Sequence, residues 1–247
     1  MRPAPPSFAD AKVVLLDIDD TLWENNIFFL MVEEWLRRAA RSLGVSHRAM
    51  REILHRRELR NLQWTGPGYS SFERSVVETI ATMVHRTGHH GRHAGLSRRG
   101  RAWVAFLRRH PIILREGVRE ALPALAGAKR VIMVTKGNPT DQLGKVARSG
   151  LGPIVHGVEV LLHKTPAEYR ALLARYGLQP HEAVMVGNSP KSDINHAKAA
   201  GIRTIYVPHP ATWYMELEPI RPTGPETAHV ATFSGVLDVL GLTSPER

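Results

Sequence analysis

Two hydrophobic patterns alternate along the chain. Lys12–Leu16 is a short aliphatic run with no polar face, which predicts a strand buried on both sides of a parallel sheet. For roughly ninety residues after it the apolar positions recur every three or four. Phe28, Phe29, Val32, Trp35, Leu36, Ala39, Ala40 and Leu43 predict a helix over Asn26–Leu43. Ser46–Leu62, Ser71–Val84 and Leu96–Arg109 predict three more, separated by "TGPG" at 65–68 and the Gly/His stretch 87–95. Strand-like and helix-like segments then alternate. Strands are expected at Arg130–Val134, Val158–Leu162, Ala183–Val186, Arg203–Val207 and Val230–Thr232. Helices are expected at Gly117–Leu125, Asp141–Ser149, Pro166–Tyr176, Ser192–Ala200 and Ser234–Leu240. Such alternation predicts an α/β fold with a parallel sheet and helices on both faces. The sheet is interrupted after its first strand by an all-helical insert. Residues 1–9 are expected to be a loose leader.

Composition changes this picture little. The 247 residues include no cysteine, which excludes disulfides, thiolate metal sites and a cysteine nucleophile. No apolar window is long enough for a membrane span, and the first ten residues have no apolar core of the kind a secretory leader needs. A cytoplasmic protein with no membrane partner is the expectation. Charge does change the picture. The net charge is +10, and sixteen arginines against seven acids place +9 of it within 22–112. A basic surface attracts anions, from phosphorylated metabolites to nucleic acid.

The candidate chemistry lies where strands end. In open α/β sheets, sites form at the carboxyl ends of strands. The first strand runs into Asp17, Asp19 and Asp20. Carboxylates two residues apart in extended chain point the same way and repel unless a cation or proton lies between them. "VMVGNSPKSDI", 184–194, repeats the construction: an aliphatic strand, then Gly187, Asn188 and Asp193. A third strand ends in Thr135, whose hydroxyl suits phosphate oxygens. Lys164 precedes a helix, where its ammonium suits a phosphoryl group, and Lys136 is its rival.

Together these motifs resemble the haloacid dehalogenase-like hydrolase superfamily. Its first motif, Asp-x-Asp-x-Thr after a strand, is matched by Asp17, Asp19 and Thr21. Its second, a Thr or Ser closing a strand, is matched by Thr135. Its third, a Lys before a helix, is matched by Lys164, and its fourth by "GNSPKSD". One departure stands out: the first acid of the fourth motif is Asn188 here. The resemblance implies a Rossmann-like core formed by 1–21 and 112–247, with a helical type-one cap at 22–111. It implies a Mg²⁺-dependent phosphatase acting on a small phosphorylated substrate. Asp17 is then the nucleophile and Asp19 the acid and base, with Thr135 and Lys164 spreading phosphoryl charge. Mg²⁺ is held by Asp17, the Asp19 backbone carbonyl and Asp193, with Asn188 beside it. Family dehalogenases need no metal and usually lack the second aspartate, so Asp19 favours phosphate over halide. The alternative is a catalytically weak binding protein that uses the basic insert to hold nucleic acid or another polyanion. Within the insert, Arg56, Arg57, Arg60 and Arg74 are candidates to grip a second anionic group. Trp64 and Tyr69 are candidates to meet a base or sugar, and the His-rich stretch 85–93 to hold a transition metal.

Overall fold

The computed structural model describes residues 8–242. Six strands form one sheet: β1 (Val13–Leu16), β2 (Arg130–Lys136), β3 (Gly157–Leu161), β4 (Ala183–Gly187), β5 (Arg203–Tyr206) and β6 (Thr227–His229). Their order is β3-β2-β1-β4-β5-β6, and every pairing is parallel. β1 is central, and all four of its residues are buried. Val14 and Leu16 join Val131, Met133, Val184 and Val186 in one hydrophobic core. Val13 and Leu15 join Ile132, Val134, Ala183 and Met185 in the other. A strand with two apolar faces therefore has water on neither, which is why its sequence shows no alternation. Each such aliphatic side chain contributes about 1.5–3 kcal/mol. The order reverses between β1 and β4, so the crevice beyond their carboxyl ends is the topological switch point.

The chain divides into two compact units, one running to Asn26 and resuming at Ile112, the other Ile27–Pro111. In the second unit, helices α1 (Asn26–Ser42), α2 (His47–Thr65), α3 (Tyr69–Thr87) and α4 (His93–Leu107) surround a core that includes Val32, Leu36, Val76, Ile80 and Val104. Leu22–Asn26 lie with the sheet unit, although the sequence pattern begins the insert at 22. The reason is Trp23: it is fully buried in the sheet unit's core and bridges antiparallel to Leu114.

The remaining helices are α5 (Val118–Ala128), α6 (Pro139–Ser149), α7 (Pro166–Arg175), α8 (His196–Ala199) and α9 (Gly235–Val239). α6 starts on the Asn138 cap with Pro139 in its first turn, and α7 starts on a reciprocal Thr165–Glu168 capping box. Three expectations are corrected. Residues 1–7 of the supposed leader lie outside the described residues, but Phe8 is 1% exposed and packs in the core under the Arg203 guanidinium. The last strand is Thr227–His229, because Val230 turns its side chain into the core after its N–H has bonded the Tyr206 carbonyl. The helix expected over Ser192–Ala200 is regular only in α8. Before it, Pro190–Asn195 forms a π-turn, started by Pro190 and by the Ser189 hydroxyl, which accepts from the Ser192 N–H.

Candidate active site

β1 ends in a tight turn that fixes its aspartates. Leu22 N–H reaches the Ile18 carbonyl at 2.8 Å, and Asp20 N–H reaches the Trp23 carbonyl at 2.8 Å. Asp20 takes φ +60°, a left-handed conformation that Asp tolerates better than most residues. Its carboxylate turns away from the strand end and accepts the N–H groups of Asn25 and Asn26 at the start of α1. Asp20 thus shapes the turn. Burial pushes its carboxyl up to about 7, against the pull of those two N–H bonds.

Asp17 is 6% exposed and meets two of the residues that the sequence marks. Thr21 Oγ1 donates to its Oδ2 at 2.6 Å, and Lys164 Nζ donates to its Oδ1 at 2.5 Å. The same ammonium donates to Asp193 Oδ1 at 2.8 Å. Lys164 therefore holds two carboxylates brought in from β1 and from the turn after β4. Burial and the neighbouring Asp193 push the Asp17 carboxyl up to about 7 despite Lys164. The Lys164 ammonium is held above its ordinary range because the pull of Asp17 and Asp193 outweighs burial. Lys136 does not share this role; it pairs with Glu216 and with Ser192 Oγ. Thr135 is buried one residue before the end of β2, whose register with β1 brings it beside the aspartate turn.

Gly187 does not serve as a left-handed turn residue. Its need for no side chain comes from Asp193: a Cβ would stand 2.3 Å from Asp193 Oδ2. That Oδ2 accepts the Ser189 N–H at 2.9 Å, which fixes the carboxylate against the strand end. Asn188 is oriented by its neighbours. Its Nδ2 donates to Thr212 Oγ1 at 3.1 Å, and the Thr212 hydroxyl is itself spent on the His209 carbonyl at 2.9 Å. The amide oxygen consequently faces Thr21 and the nucleophile, where Thr21 Oγ1 lies 3.3 Å away.

Asp19 stands apart from this cluster. Its Oδ1 accepts Trp23 Nε1 at 2.9 Å, and its Oδ2 accepts Lys145 and, at 3.3 Å, Gln142 Nε2. Burial alone raises the Asp19 carboxyl, but Lys145 and the hydrogen bonds together hold it below the usual carboxylate range. Lys145 and Gln142 were not visible as site residues in the sequence. Both lie on α6, and both are buried.

The donor set suits a hard divalent cation. Asp17 and Asp193 are buried carboxylates on one ammonium, and Asn188 adds an amide oxygen beside Thr21, all oxygen ligands of the kind Mg²⁺ prefers. A cation between them would also offset the repulsion that pushes Asp17 up. Among the described residues, the trio of acidic and histidine side chains whose ligand atoms lie close together is Asp20, Glu24 and His209. Its histidine is already engaged: Nδ1 accepts the Ala211 N–H at 3.1 Å and Nε2 faces Glu24 at 2.9 Å. No His-rich trio of this kind forms in 85–93 among the described residues. The insert's arginines meet neighbours within the helical unit: Arg60 and Arg74 bind Glu78, Arg57 binds Thr82 Oγ1 and Arg56 the Glu52 carbonyl. Trp64 is exposed, whereas Tyr69 is buried. No helix among the described residues is long and apolar enough to cross a membrane.

Comparison with known proteins bears on the family and the fold. A curated phosphoserine phosphatase of Thermus thermophilus is 25% identical, the match covering 79% of this chain and 88% of that protein. The crystal structure of a haloacid dehalogenase-like family hydrolase from Xanthomonas campestris superposes with a TM-score of 0.79 at 28% identity, covering 94% and 93% of the two chains. L-2-haloacid dehalogenase from Xanthobacter autotrophicus shares the fold, with a TM-score of 0.60 at 16% identity over 94% and 98%. The family profile of the haloacid dehalogenase-like hydrolases matches residues 11–201, from the approach to β1 through the turn that carries Asp193, and the chain belongs to that family.

Proposed function

We propose that the chain is a Mg²⁺-dependent phosphomonoester hydrolase that acts on a small phosphorylated metabolite through an aspartyl-phosphate. The observation that carries this reading is Lys164 holding Asp17 and Asp193 together while a second aspartate, Asp19, stands two residues on with donors of its own. Asp17 is the nucleophile: its carboxylate attacks phosphorus, and the ester oxygen leaves. Thr21 on Oδ2 and Lys164 on Oδ1 orient that carboxylate. The Thr135 hydroxyl and the Lys164 ammonium take up the charge of the transferring phosphoryl group. Asp19 gives a proton to the leaving oxygen, then removes one from the water that cleaves the aspartyl-phosphate. The first step needs Asp19 protonated, and the carboxylate held by Lys145 is the form the second step needs. Asp17, the Asp19 backbone carbonyl and Asp193 would hold Mg²⁺, with the Asn188 amide oxygen beside them. The ion would supply charge stabilisation to the phosphoryl oxygens. Asp19 and its donors favour this chemistry over dehalogenation, which has no leaving oxygen to protonate. In this reading the helical unit is the cap and carries substrate choice, and the protein works in the cytoplasm.

The test is phosphate release from a panel of phosphomonoesters and p-nitrophenyl phosphate, with Mg²⁺ and with EDTA. Turnover that needs Mg²⁺ and falls at least about a thousandfold in Asp17→Asn supports the reading. No turnover from folded, Mg²⁺-loaded protein across the panel overturns it. Salt-sensitive binding of nucleic acid by that inactive protein would then favour the polyanion-binding alternative.

A further inference from the structure

A second buried cluster of charge lies beside the catalytic aspartates, in a segment with no motif. Glu216 ends a short 3₁₀ turn, Tyr214–Glu216, and is 8% exposed. One carboxylate oxygen accepts Lys136 Nζ, and the other accepts Ser189 Oγ at 2.5 Å. Lys136 also donates to Ser192 Oγ at 2.9 Å, and Ser189 Oγ accepts the Ser192 N–H at 2.9 Å. Tyr169 closes the far side, its hydroxyl donating to the Ser192 carbonyl at 3.2 Å.

The residues that Glu216 touches are neighbours of the residues that do the chemistry. Lys136 follows Thr135 on β2. Ser189 follows Asn188, and its N–H holds Asp193 Oδ2 at 2.9 Å. The same segment fastens Asn188 as well, through Thr212. Two pieces of chain, the end of β2 and the turn after β4, thus meet on one carboxylate. We propose that Glu216 is a positioning residue for phosphoryl transfer: it fixes the β2 end, which carries Thr135, against the 189–193 turn, which carries Asp193. This inference rests on the phosphatase reading.

The role requires a charge, not only a shape. Burial pushes Glu216 up, but Lys136 and the serine hydroxyls pull it down to about 2, so it is a carboxylate at any working pH. A glutamine of the same shape still accepts from Ser189 but leaves the Lys136 ammonium without its counter-ion. That ammonium is then drawn to other carboxylates, and the β2 end moves with it.

The experiment compares Glu216→Gln and Glu216→Asp with wild type. It measures kcat and KM on p-nitrophenyl phosphate with Mg²⁺, amide hydrogen exchange, and urea midpoints. The expected result for Glu216→Gln is a kcat at least about tenfold lower, with KM within about threefold, because positioning acts on the reacting geometry. Amides of 189–194 exchange at least about tenfold faster while β1 exchange is unchanged. Glu216→Asp, which keeps the charge, recovers part of kcat. A folded Glu216→Gln protein with wild-type kcat overturns the proposal, as does a loss of kcat accompanied by equally faster exchange throughout the sheet. Should Glu216→Gln not fold, a wild-type kcat in Glu216→Asp overturns it and a lowered kcat at unchanged KM supports it. A wild-type protein without turnover removes the phosphatase reading instead. The exchange contrast then decides separately whether Glu216 holds the turn, unchanged 189–194 amides overturning that placement.

Discussion

Replacing Asp20 by Asn should stabilise the protein progressively as pH rises. Asp20 is 5% exposed, and burial pushes its carboxyl from 3.8 to about 7. A group whose folded pKa lies above its unfolded one favours folding at low pH, and that advantage is lost as pH rises through the folded value. Between about pH 4 and 7 the wild-type protein therefore loses about 1.4 kcal/mol per pH unit through this residue, about 4 kcal/mol in all, and nothing more above 7. Asn does not titrate. It keeps the two shorter bonds of the turn and gives up only the longer 3.2 Å contact of Asp20 Oδ2 with the Asn26 N–H. Its amide oxygen accepts from Asn25 and Asn26 N–H as Oδ1 does at 2.8 and 2.9 Å. The Arg115 guanidinium bonds the Asp20 backbone carbonyl, which the substitution leaves in place. Asn also accepts the left-handed φ of +60°. Asp17, pushed up to about 7 as well, titrates in both proteins and enters the difference only through its repulsion of Asp20, a smaller influence than burial. The assay is urea unfolding of both proteins in EDTA at constant ionic strength, from pH 4.5 to 8. The Asp20→Asn protein should gain on wild type steadily to pH 7 and then hold a constant lead. A difference that stays within about 0.5 kcal/mol across the range would refute the reasoning.

The other predictions concern the site itself. Gly187→Ala places a Cβ 2.3 Å from Asp193 Oδ2 and drives that carboxylate off Lys164, so turnover should fall about a hundredfold or more in a protein whose circular dichroism is unchanged. Lys164→Met leaves Asp17 and Asp193 facing each other, and metal-free protein at pH 8 should lose roughly 3–5 kcal/mol in urea melts. The deficit should shrink at pH 5, where the Asp17 carboxyl, pushed up to about 7, protonates. Lys145→Met removes the cation that holds Asp19 below the usual carboxylate range, so the Asp19 pKa rises. In metal-free protein, NMR titration of the Asp19 side-chain carboxyl carbon should therefore show protonation at higher pH than in wild type, and an unchanged titration would refute the role given to Lys145.

What the sequence revealed follows from what local patterns can report. β1 and the aspartates behind it were legible because a strand with two apolar faces has one composition and an abrupt end. Lys164 was legible because Thr165, Pro166 and Glu168 announce a helix start directly after it. The π-turn was not, since Pro190–Asn195 looks like the first turn of an ordinary helix until Asp193 has to fit under Gly187. Asn188 could be named but not oriented: which end of its amide faces Asp17 depends on Thr212, twenty-four residues away.

The residues that were missed share a cause. Hydrophobic periodicity assigns apolar side chains inward and charged ones outward, and it fails wherever a charge is buried against a partner from another segment. On α6 the assignment is inverted, with Leu143 48% exposed while Gln142 and Lys145 turn inward to reach Asp19, more than 120 residues earlier. Glu216 lies in an irregular stretch with no period at all, and its partners Ser189 and Lys136 are 27 and 80 residues away. Desolvating such a group is unfavourable unless its partner is already in place. An inverted helix face therefore marks a position whose environment the rest of the fold must supply, and here all three such residues lead back to the aspartates at the ends of β1 and β4.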